Sequence, residues 1–439
     1  MAKERFFLEL TPPSELLRDA PHVVIIGGGF AGLKAAHALA GKTVRVTLID
    51  RRNFNLFQPL LYQVASGLVS ATDVASPLRV MLGSAPNIQI LMGEVEDIDP
   101  AAKVVAFGDQ QLRYDHLIVA AGATSSYFGH DDWRPHATPM KGLGDAMAIR
   151  RQVLSALEEA ERTTDAGRRQ WLQSVVVVGG GPTGCELAAS LNDLLRHTLE
   201  RDFKQLDPSR SRVTLVDPGD RVLRAMDPQL SKAAGEHLQR CGVELLLGGR
   251  VQSIEAGRLV VTTANGPVTL EAGTICWTAG VAASPLGRLL AERTGCSLDR
   301  GGRVVVEPDF SIAGHPDIRV VGDLCSYGHT TDGNPLPGMA GPAVQMGGWV
   351  AQDILARLHN QPHGAFRFAD FGSMAVVGPL FAVANLRGLK LSGALGWLLW
   401  GLAHLAFMPD TENRISLLTK WLWLIVTRQR SALLIQETP

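Results

Sequence analysis

The chain has 439 residues, of which 46% are apolar and 19% charged, and its formal net charge is −1. This composition predicts an ordered protein of two or three domains and excludes a disordered chain. The near-neutral charge argues against nucleic acid as a partner. The five cysteines are widely spaced and odd in number. They form no disulfide framework and favour a reducing compartment, so we expect the main body in the cytoplasm.

The first elements in chain order predict a βαβ unit. Residues 1–20 are charged, lack the apolar core of a signal peptide and are interpreted as a leader. An apolar, β-branched run at 22–26 then predicts a buried parallel strand. Residues 33–40 are rich in alanine and leucine and predict a helix, and residues 44–49 predict a second strand.

The turn inside this unit carries the sequence Gly27-Gly-Gly29-Phe-Ala-Gly32. In such a fingerprint the first glycine permits the turn, the second admits a pyrophosphate, and the third lets helix and strand pack closely. The N-terminus of the helix offers free N–H groups to the phosphates. Asp50 ends the second strand and is placed to bind a ribose hydroxyl. Together these features predict a dinucleotide site.

A second copy of the pattern begins after a predicted helix over 145–162. Strands over 175–178 and 213–216 enclose the turn Gly179-Gly-Gly181-Pro-Thr-Gly184, and Asp217 ends the second of them. A carboxylate at this position accepts from a free 2′-hydroxyl and repels a 2′-phosphate, which favours NADH over NADPH. Two complete units in one chain predict transfer of electrons between two dinucleotides, with FAD and a nicotinamide as the simplest pair.

Other segments support the same fold. Residues 114–122 read as a strand ending in small residues, and Thr278-Ala-Gly280 repeats that ending later in the chain. Residues 250–275 alternate with period two and predict an antiparallel meander. A strand within 303–323 ends at Asp323, which could bind the ribityl chain of a flavin or cap the turn that follows. The histidines and cysteines show no metal-ligand spacing, so no metal is expected.

Beyond these general features, four segments carry a more specific pattern: Phe57-Gln-Pro-Leu-Leu-Tyr62, Gly184-Cys-Glu186, Gly372-Ser-Met-Ala and Asn413-Arg-Ile-Ser416, the last followed by a tryptophan-rich helix and Arg428-Gln-Arg430. With the two glycine turns, they resemble type II NADH:quinone oxidoreductase, a single-subunit, non-proton-pumping member of the two-dinucleotide flavoproteins. The resemblance runs from about residue 21 to 435. It implies non-covalent FAD, NADH as the donor, a membrane quinone as the acceptor, and a homodimer.

The resemblance also implies roles for individual residues. Those expected to hold FAD are Gly27, Gly29, Phe30, Gly32, Asp50, Arg51, Gln58, Ala121, Gly122, Asp323 and Ala340. Those expected to hold NADH are Gly179, Gly181, Thr183, Gly184, Glu186, Asp217 and Gly280. Those expected at the quinone are Leu60, Tyr62, Gly341 and Gln345. Glu186 and Gln345 are the candidate catalytic residues. Glu186 could instead be a surface carboxylate in the first turn of a helix, and Pro59 and Tyr62 could be ordinary turn and core residues.

The sequence departs from the family pattern near the quinone. The family carries two glutamines in an Ala-Gln-x-Ala-x-Gln pattern, whereas this chain has Gly341 at the first and Gln345 at the second. Phe371 replaces a frequent lysine, and Pro379 replaces a common arginine. Fewer polar groups would therefore contact the quinone headgroup.

Four other functions compete with this one. A disulfide reductase needs a cysteine pair after the first glycine turn, and that helix contains no cysteine. A sulfide:quinone oxidoreductase would use cysteines such as Cys185 and Cys325, although the intact second turn with Asp217 argues for a nicotinamide. A flavin-bound NADH sensor without turnover is the non-enzymatic alternative. A prenylquinone reductase of quinone biosynthesis shares the same motifs and stays open.

The segment Leu391–Pro409 contains no charged residue. It could span a membrane, form a buried core helix, or lie on one leaflet. On a helix, leucines at 395, 398, 399, 402 and 405 and Ala406 share one face, opposite Gly393, Trp397, Trp400, His404 and Phe407. Leu417, Leu418, Trp421 and Ile425 share a face of a second helix. From residue 381 onward six basic residues oppose three acidic ones, as expected beside anionic lipid. We therefore expect the glycine and tryptophan face to pack on the enzyme. The leucines, with the second helix, would then enter one leaflet.

These expectations define an α/β fold with two Rossmann-like dinucleotide-binding domains of the disulfide-reductase type and a C-terminal membrane-docking helical region. The predicted limits are 1–20 for the leader, 21–144 and 271–364 for the FAD domain, 145–270 for the NADH domain and 365–439 for the C-terminal region. We expect a peripheral, monotopic enzyme on the cytoplasmic face of the membrane.

Overall fold

A computed structural model describes residues 5–10, 17–330 and 333–435 of the chain. The chain is divided into two units. The first unit comprises Met1–Asn55, Ser76–Thr124 and Val281–Asp370. The second unit comprises Leu56–Ala75, Ser125–Gly280 and Phe371–Pro439.

The described residues form helices and strands in regular alternation over much of the chain. The helices are α1 (Phe30–Leu39), α2 (Leu61–Ala65), α3 (Leu78–Leu82), α4 (Leu143–Arg162), α5 (Ala166–Leu172), α6 (Pro182–Asp193), α7 (Leu199–Asp202), α8 (Pro228–Cys241), α9 (Leu286–Thr294), α10 (Ala340–Leu358), α11 (Ala394–Phe407) and α12 (Thr411–Thr427). The strands are β1 (Phe6–Phe7), β2 (His22–Ile26), β3 (Arg45–Asp50), β4 (Phe54–Leu56), β5 (Ala75–Pro77), β6 (Ile88–Met92), β7 (Val95–Asp99), β8 (Val104–Phe107), β9 (Gln110–Arg113), β10 (His116–Val119), β11 (Ala123–Ser125), β12 (Thr138–Pro139), β13 (Ser174–Val178), β14 (Arg212–Asp217), β15 (Val243–Leu247), β16 (Arg250–Glu255), β17 (Arg258–Thr263), β18 (Gly266–Glu271), β19 (Thr274–Trp277), β20 (Val281–Ala283), β21 (Val304–Val305), β22 (Ser311–Ile312), β23 (His315–Val320), β24 (Cys325–Ser326), β25 (Ser373–Gly378), β26 (Phe381–Leu386) and β27 (Leu389–Gly393).

The first unit is built on a six-stranded sheet in the order β22-β23-β10-β2-β3-β6. All neighbours are parallel except β22 and β23. Strand β2 is buried along its whole length, as its run of valine and isoleucine predicts for a central parallel strand. Helix α10 packs against α1 beside this sheet.

A smaller sheet in the first unit has the order β1-β9-β8-β7. Its strands β7, β8 and β9 are antiparallel, whereas β1 adds to β9 in parallel. Part of the predicted leader is therefore an edge strand, because Phe6 and Phe7 pair with Gln110 and Gln111. The other leader residues from 1 to 4 and from 11 to 16 lie outside the described ranges.

The second unit contains a parallel five-stranded sheet in the order β12-β19-β13-β14-β15. An antiparallel meander of β16, β17 and β18 follows, as the period-two alternation over 250–275 predicts. A third sheet, β25-β26-β27, is also antiparallel and contacts α6, α8 and α11.

The limits of the two units differ from the predicted domain limits. Residues 56–75, 125–144 and 271–280, assigned from sequence to the FAD domain, belong to the second unit, and residues 365–370 belong to the first unit. The difference at 271–280 has a direct cause, because β19 pairs with β13 in the sheet of the second unit. Residues 371–439 join the second unit instead of forming a region of their own.

The uncharged segment is shorter as a helix than its sequence suggests. Residues 391–393 finish strand β27, so α11 has 14 residues and a length of about 21 Å. Across the described residues, no helix combines the length and the apolarity that crossing a bilayer requires. The prediction that the helix runs from Leu391, with Gly393 on its inner face, is therefore wrong.

The two faces of α11 are divided largely as predicted. Gly396, Trp400 and Gly401 are buried, and Leu395, Leu398 and Leu402 are more than half exposed. Phe407 is exposed, contrary to its predicted inward position. This mixed burial excludes the alternative of a wholly buried core helix.

The face assigned to α12 is wrong. Leu417 and Trp421 are buried, whereas Leu418 and Ile425 are exposed. The polar indole of Trp421 reaches Gln63 in the interior of the second unit. The apolar surface of α12 is formed instead by Ile415, Leu418, Leu422, Trp423, Ile425 and Val426.

Candidate functional site: two glycine turns and a buried glutamate

The first glycine turn lies where three parallel strands of the first unit end together. Ile26 of β2 pairs with Val119 of β10, and Val119 pairs with Val320 of β23. The loops that follow these strands therefore lie at one edge of the sheet, which is where open α/β sheets bind ligands. These loops contain predicted FAD residues: Gly27, Gly29, Ala121, Gly122 and Asp323.

Each glycine of this turn has a separate steric reason. Gly27 has φ +102°, and a Cβ there would lie 2.4 Å from the carbonyl oxygen of Ala120. A Cβ on Gly32 would lie 1.8 Å from the carbonyl oxygen of Gly27, so α1 can approach β2 only with glycine at this position. A Cβ on Gly29 would meet nothing within 4 Å. That open space at the start of α1 fits the backbone approach of a pyrophosphate.

Asp50 is held rigidly beside the turn. Its Oδ2 accepts a hydrogen bond from the Gly28 N–H at 2.6 Å, and its Oδ1 accepts from the Arg52 N–H at 2.7 Å. Each carboxylate oxygen has a second lone pair, so the group can still accept from a ribose hydroxyl. Asn55 also contributes, because its Nδ2 donates to the carbonyl oxygen of Gly28 at 2.8 Å. The sequence motif did not predict a role for Asn55, because the motif ends at Asp50.

The remaining predicted FAD residues differ in how they are placed. Phe30 begins α1 and Ala340 begins α10, which packs against α1 in the first unit. Arg51 is exposed and lies 3.9 Å from Glu94. Gln58 belongs to the second unit, where its Nε2 donates to the carbonyl oxygen of Lys141 at 3.0 Å.

The second unit repeats this geometry at its own turn. Gly179 has φ +116°, and a Cβ on Gly184 would lie 1.8 Å from the carbonyl oxygen of Gly179. Asp217 accepts from the N–H of Gly180 at 2.6 Å and from the N–H of Gly219 at 2.7 Å. As at Gly29, a Cβ on Gly181 would meet nothing within 4 Å. The two turns therefore offer the same kind of phosphate and ribose site.

The other predicted NADH residues lie near this turn or at the end of a strand in the same sheet. Thr183 is exposed in the first turn of α6. Thr278 follows β19 and donates from its hydroxyl to the carbonyl oxygen of Val178 at 2.7 Å, which joins two strand ends. Gly280 accepts from the Ser126 N–H through its carbonyl oxygen, and a Cβ there would lie 2.6 Å from the ring of Phe128.

Glu186 is buried in α6, which excludes a surface carboxylate. Burial raises the pKa of Glu186 to about 8, and a hydrogen bond from the Val376 N–H at 3.4 Å opposes this only weakly. Tyr62 is also buried; burial and the nearby Glu186 carboxylate raise the pKa of its phenol. A carboxyl group with its pKa near working pH is suited to proton transfer.

A chain of polar side chains links this interior to the C-terminal helix. The indole N–H of Trp421 donates to Gln63 Oε1 at 2.9 Å, and Gln63 Nε2 donates to the hydroxyl of Tyr62 at 3.1 Å. Tyr62 was predicted as a site residue from sequence, whereas Gln63 was assigned no role. The signal for Gln63 was a polar residue within the otherwise apolar run 60–65.

A second buried polar cluster was also missed. Arg430 donates from Nη1 to the carbonyl oxygen of Ser66 at 2.6 Å and pairs with Asp193. Ser190 donates from its hydroxyl to that of Ser66 at 2.6 Å. The recurrence of Arg428-Gln-Arg430 in the resembling family was the available signal, and Arg430 is the arginine that is buried.

The residues predicted at the quinone have mixed surroundings. Leu60 is fully buried. The carboxamide of Gln345 is hydrogen-bonded to the backbone of Ala369 in the first unit. Its Nε2 donates to the Ala369 carbonyl oxygen and its Oε1 accepts from the Ala369 N–H, each at 2.9 Å. A Cβ on Gly341 would meet nothing within 4 Å, so the missing glutamine leaves open space.

The described part of the chain also bears on a metal site and on reactive cysteines. No group of three or more histidine, cysteine, aspartate or glutamate side chains is placed there to hold a metal ion. Cys185 and Cys325 are both buried. Burial raises the pKa of each thiol well above its usual value, and reactive cysteines need the opposite environment.

Comparison with known proteins agrees with this geometry. The sequence pattern of the pyridine nucleotide-disulphide oxidoreductase family matches residues 21–347. The chain is 40% identical to type II NADH:quinone oxidoreductase Ndh of Mycobacterium tuberculosis, over 98% of this chain and 94% of that protein. It is 26% identical to the mitochondrial internal alternative NAD(P)H-ubiquinone oxidoreductase A1 of Arabidopsis thaliana, over 92% and 84% of the two chains.

Solved structures share the fold at lower identity. NDH2 of Plasmodium falciparum in complex with NADH has a TM-score of 0.86 at 19% identity, over 94% of this chain and 99% of that one. The sulfide:quinone oxidoreductase of Aquifex aeolicus has a TM-score of 0.69 at 19% identity, over 90% and 92%.

The fold and the paired glycine turns define a two-dinucleotide oxidoreductase. The chain belongs to the pyridine nucleotide-disulphide oxidoreductase family and, within it, to the type II NADH:quinone oxidoreductases.

Proposed function

We propose that this enzyme transfers two electrons from NADH to a membrane quinone, with FAD held non-covalently and without pumping protons. The observation that carries this proposal is the duplicated turn, in which Gly28 and Gly180 each donate a backbone N–H to an acid at the end of the next strand. FAD, when bound, would supply a group that accepts hydride and passes electrons onward. The protein contributes binding and orientation.

The first turn is the proposed FAD site. The open space at Gly29 would receive the pyrophosphate, and Asp50 would accept from the adenosine ribose. The loops after β10 and β23 would approach the rest of the cofactor through Ala121, Gly122 and Asp323. Phe30, Gly27, Gly32 and Ala340 would shape this edge of the sheet, and contributions from Arg51 and Gln58 remain predictions.

The second turn is the proposed NADH site. Gly181 and Thr183 would meet the pyrophosphate at the start of α6, while Gly179 and Gly184 would keep that helix against the sheet. Asp217 would accept from the 2′-hydroxyl and repel the 2′-phosphate of NADPH. Gly280, which has no side chain, would let the backbone after β19 approach the nicotinamide end of NADH.

Glu186 is proposed to hold and release a proton during quinone reduction, because its pKa is raised by burial to about 8. Tyr62 lies in the same electrostatic environment. Quinone contacts from Leu60, Gly341 and Gln345 remain predictions. A catalytic role for Gln345 would require its carboxamide to exchange its two hydrogen bonds with Ala369 for bonds to the quinone.

The C-terminal helices are proposed to dock on one leaflet of the membrane. The support is the exposure of Leu395, Leu398 and Leu402 on α11, with a second group of exposed apolar side chains on α12. Exposed apolar side chains grouped in this way on two helices mark a partner or a membrane. The resemblance further leads us to propose the cytoplasmic face and a homodimer.

Quinone-dependent NADH oxidation by the flavin-loaded protein tests this function. We expect oxidation with soluble ubiquinone, menaquinone or plastoquinone analogues, and little without them. A comparison of the three quinones would also bear on the respiratory or biosynthetic role. NADH binding without turnover for any quinone would favour a sensor and contradict the proposal. Turnover unchanged when Cys185 and Cys325 are both replaced by serine would discriminate against sulfide oxidation.

A further inference from the structure

A cavity of about 450 Å³ is lined by residues of the second unit, none of which belongs to the glycine turn. Ser70, Ala71, Thr72, Arg150, Lys420, Ser431, Ala432 and Leu434 line it. Its volume is in the range of small-molecule sites. Three of these residues are apolar and five are polar or charged, so the cavity is amphipathic.

Arg150 is the unusual member of this set. It is only 5% exposed, and in the described part of the chain no carboxylate or hydrogen-bond acceptor pairs with it. Burial alone lowers the pKa of its guanidinium. A buried cation without a partner is unfavourable, and proteins normally pair such groups. The missing partner is therefore expected to be an anion from outside the chain.

Lys420 supplies a second cation, but its charge is already matched. Its Nζ pairs with Asp73 and lies 3.1 Å from the hydroxyl of Ser70. Burial raises the pKa of Asp73, but hydrogen bonds from Lys420, Ser70 and Ser416 outweigh it and hold that pKa below its ordinary value. Two cations and one carboxylate leave one net positive charge, which a monoanion would neutralise.

The apolar wall indicates the source of the monoanion. Leu434 is 71% exposed at the mouth of the cavity. Helix α12, which carries Lys420, also carries Trp423 three residues later with 56% of its surface exposed. Residues three apart on a helix are neighbours. The cavity therefore opens beside the surface proposed to contact lipid.

We propose that the cavity between Arg150 and Lys420 binds the phosphodiester of an anionic membrane lipid. Arg150 would bind two phosphate oxygens with its planar guanidinium, and the hydroxyl of Ser431 would donate to the same group. The acyl chains would leave along Leu434 toward the exposed face of α12. This inference rests on the proposed membrane docking and adds a specific lipid contact to it.

Calorimetric titration of the flavin-loaded enzyme tests the cavity directly. The probes are dihexanoyl phosphatidylglycerol below its micelle concentration, glycerophosphoglycerol and inorganic phosphate. We expect the lipid to bind most tightly and Arg150→Met to weaken its binding about tenfold or more. Arg151→Met, on the same helix and outside the cavity, is the matched control and should bind as the wild type does.

Several results would overturn the proposal. Equal lipid affinity in the wild type and Arg150→Met would remove the assigned role of Arg150. Phosphate binding as tight as lipid binding would identify a free-phosphate site instead. If Arg150→Met does not fold, Arg150→Lys keeps the charge but loses the two-point contact, so unchanged affinity there would also contradict the proposal. Flotation of the wild type on phosphatidylcholine vesicles reports membrane docking separately, so failure of docking and failure of the lipid site are distinguishable.

Discussion

Asp50 and Asp217 show how much a single residue is constrained by its neighbours. Each ends a buried strand and accepts two backbone N–H bonds, one of them from the middle glycine of its own turn. Those bonds fix the carboxylate before any ligand arrives, so little ordering is left for binding. The position of each acid at the end of its strand was predicted from sequence, and its binding of a ribose hydroxyl stays a prediction.

At Asp217 we expect loss of the negative charge to weaken discrimination between the two nicotinamide cofactors. Asp217→Asn removes the repulsion of a 2′-phosphate, and Arg224 lies 3.8 Å from the carboxylate on the exposed side. The ratio of kcat/KM for NADH to that for NADPH should fall about tenfold or more. Asp220→Asn, at an exposed position of the same loop, is the control. An unchanged ratio in Asp217→Asn would contradict the assignment.

Glu186 gives a prediction for stability against pH. Burial raises its pKa from 4.5 to about 8, so between these values the folded chain keeps a proton that the unfolded chain has released. Stability should therefore fall as pH rises through this window. Glu186→Gln removes that contribution, so its Tm should rise relative to the wild type between about pH 5 and about pH 8. Glu158→Gln, exposed on α4, should show no such trend. Parallel curves of Tm against pH for Glu186→Gln and the wild type would refute the raised pKa of Glu186.

At the scale of an element, two glycines of the second turn, Gly181 and Gly184, have separable functions. Gly181 has an extended backbone with φ −75°, which alanine also adopts, and open space in front of it. Gly181→Ala should fold with an unchanged Tm but raise the KM for NADH about tenfold or more. Gly184→Ala should instead lower the Tm, because its methyl group collides with the Gly179 carbonyl oxygen. Wild-type NADH affinity in Gly181→Ala would show that the pyrophosphate does not bind there.

The exposed leucine side chains of helix α11 provide the test of membrane docking. Leu398 and Leu402 are 53% and 59% exposed, so replacing both with glutamine should leave the fold intact. Each leucine contributes about 2 kcal/mol when it enters an apolar phase. The double variant should therefore lose most vesicle binding in a flotation assay. Val268→Gln, at an exposed position on β18, is the control. Flotation equal to that of the wild type would contradict docking through this face.

The glycine turns and the two C-terminal helices also show what the sequence could and could not predict. The glycine turns follow local rules, so strand, turn, helix and acid were all found in order. The inner face of α11 was largely found because glycine and tryptophan differ sharply from leucine. The inner face of α12 was missed, because Trp421 is turned inward by Gln63, a residue distant in sequence. A mainly apolar helix has no periodicity that reveals such a partner.

For the whole molecule, the C-terminal segment is an integral part of the second unit. Trp421 and Arg430 are buried and hydrogen-bonded to residues near positions 63–66 and 190. Deleting residues 388–439 would leave those partners unsatisfied in the interior, at a cost of about 1–3 kcal/mol for each group. Loss of membrane binding after such a deletion would therefore not separate docking from unfolding, whereas the surface variants do.

The whole molecule combines two dinucleotide-type sites with an apolar C-terminal surface, and its central claim is electron transfer from NADH to quinone. The direct test is sequential anaerobic mixing of the flavin-loaded enzyme in a stopped-flow spectrophotometer. NADH should bleach the visible flavin band within one turnover, and a soluble ubiquinone analogue added next should restore it. A flavin band that NADH does not bleach, or that quinone does not restore, would contradict the claim.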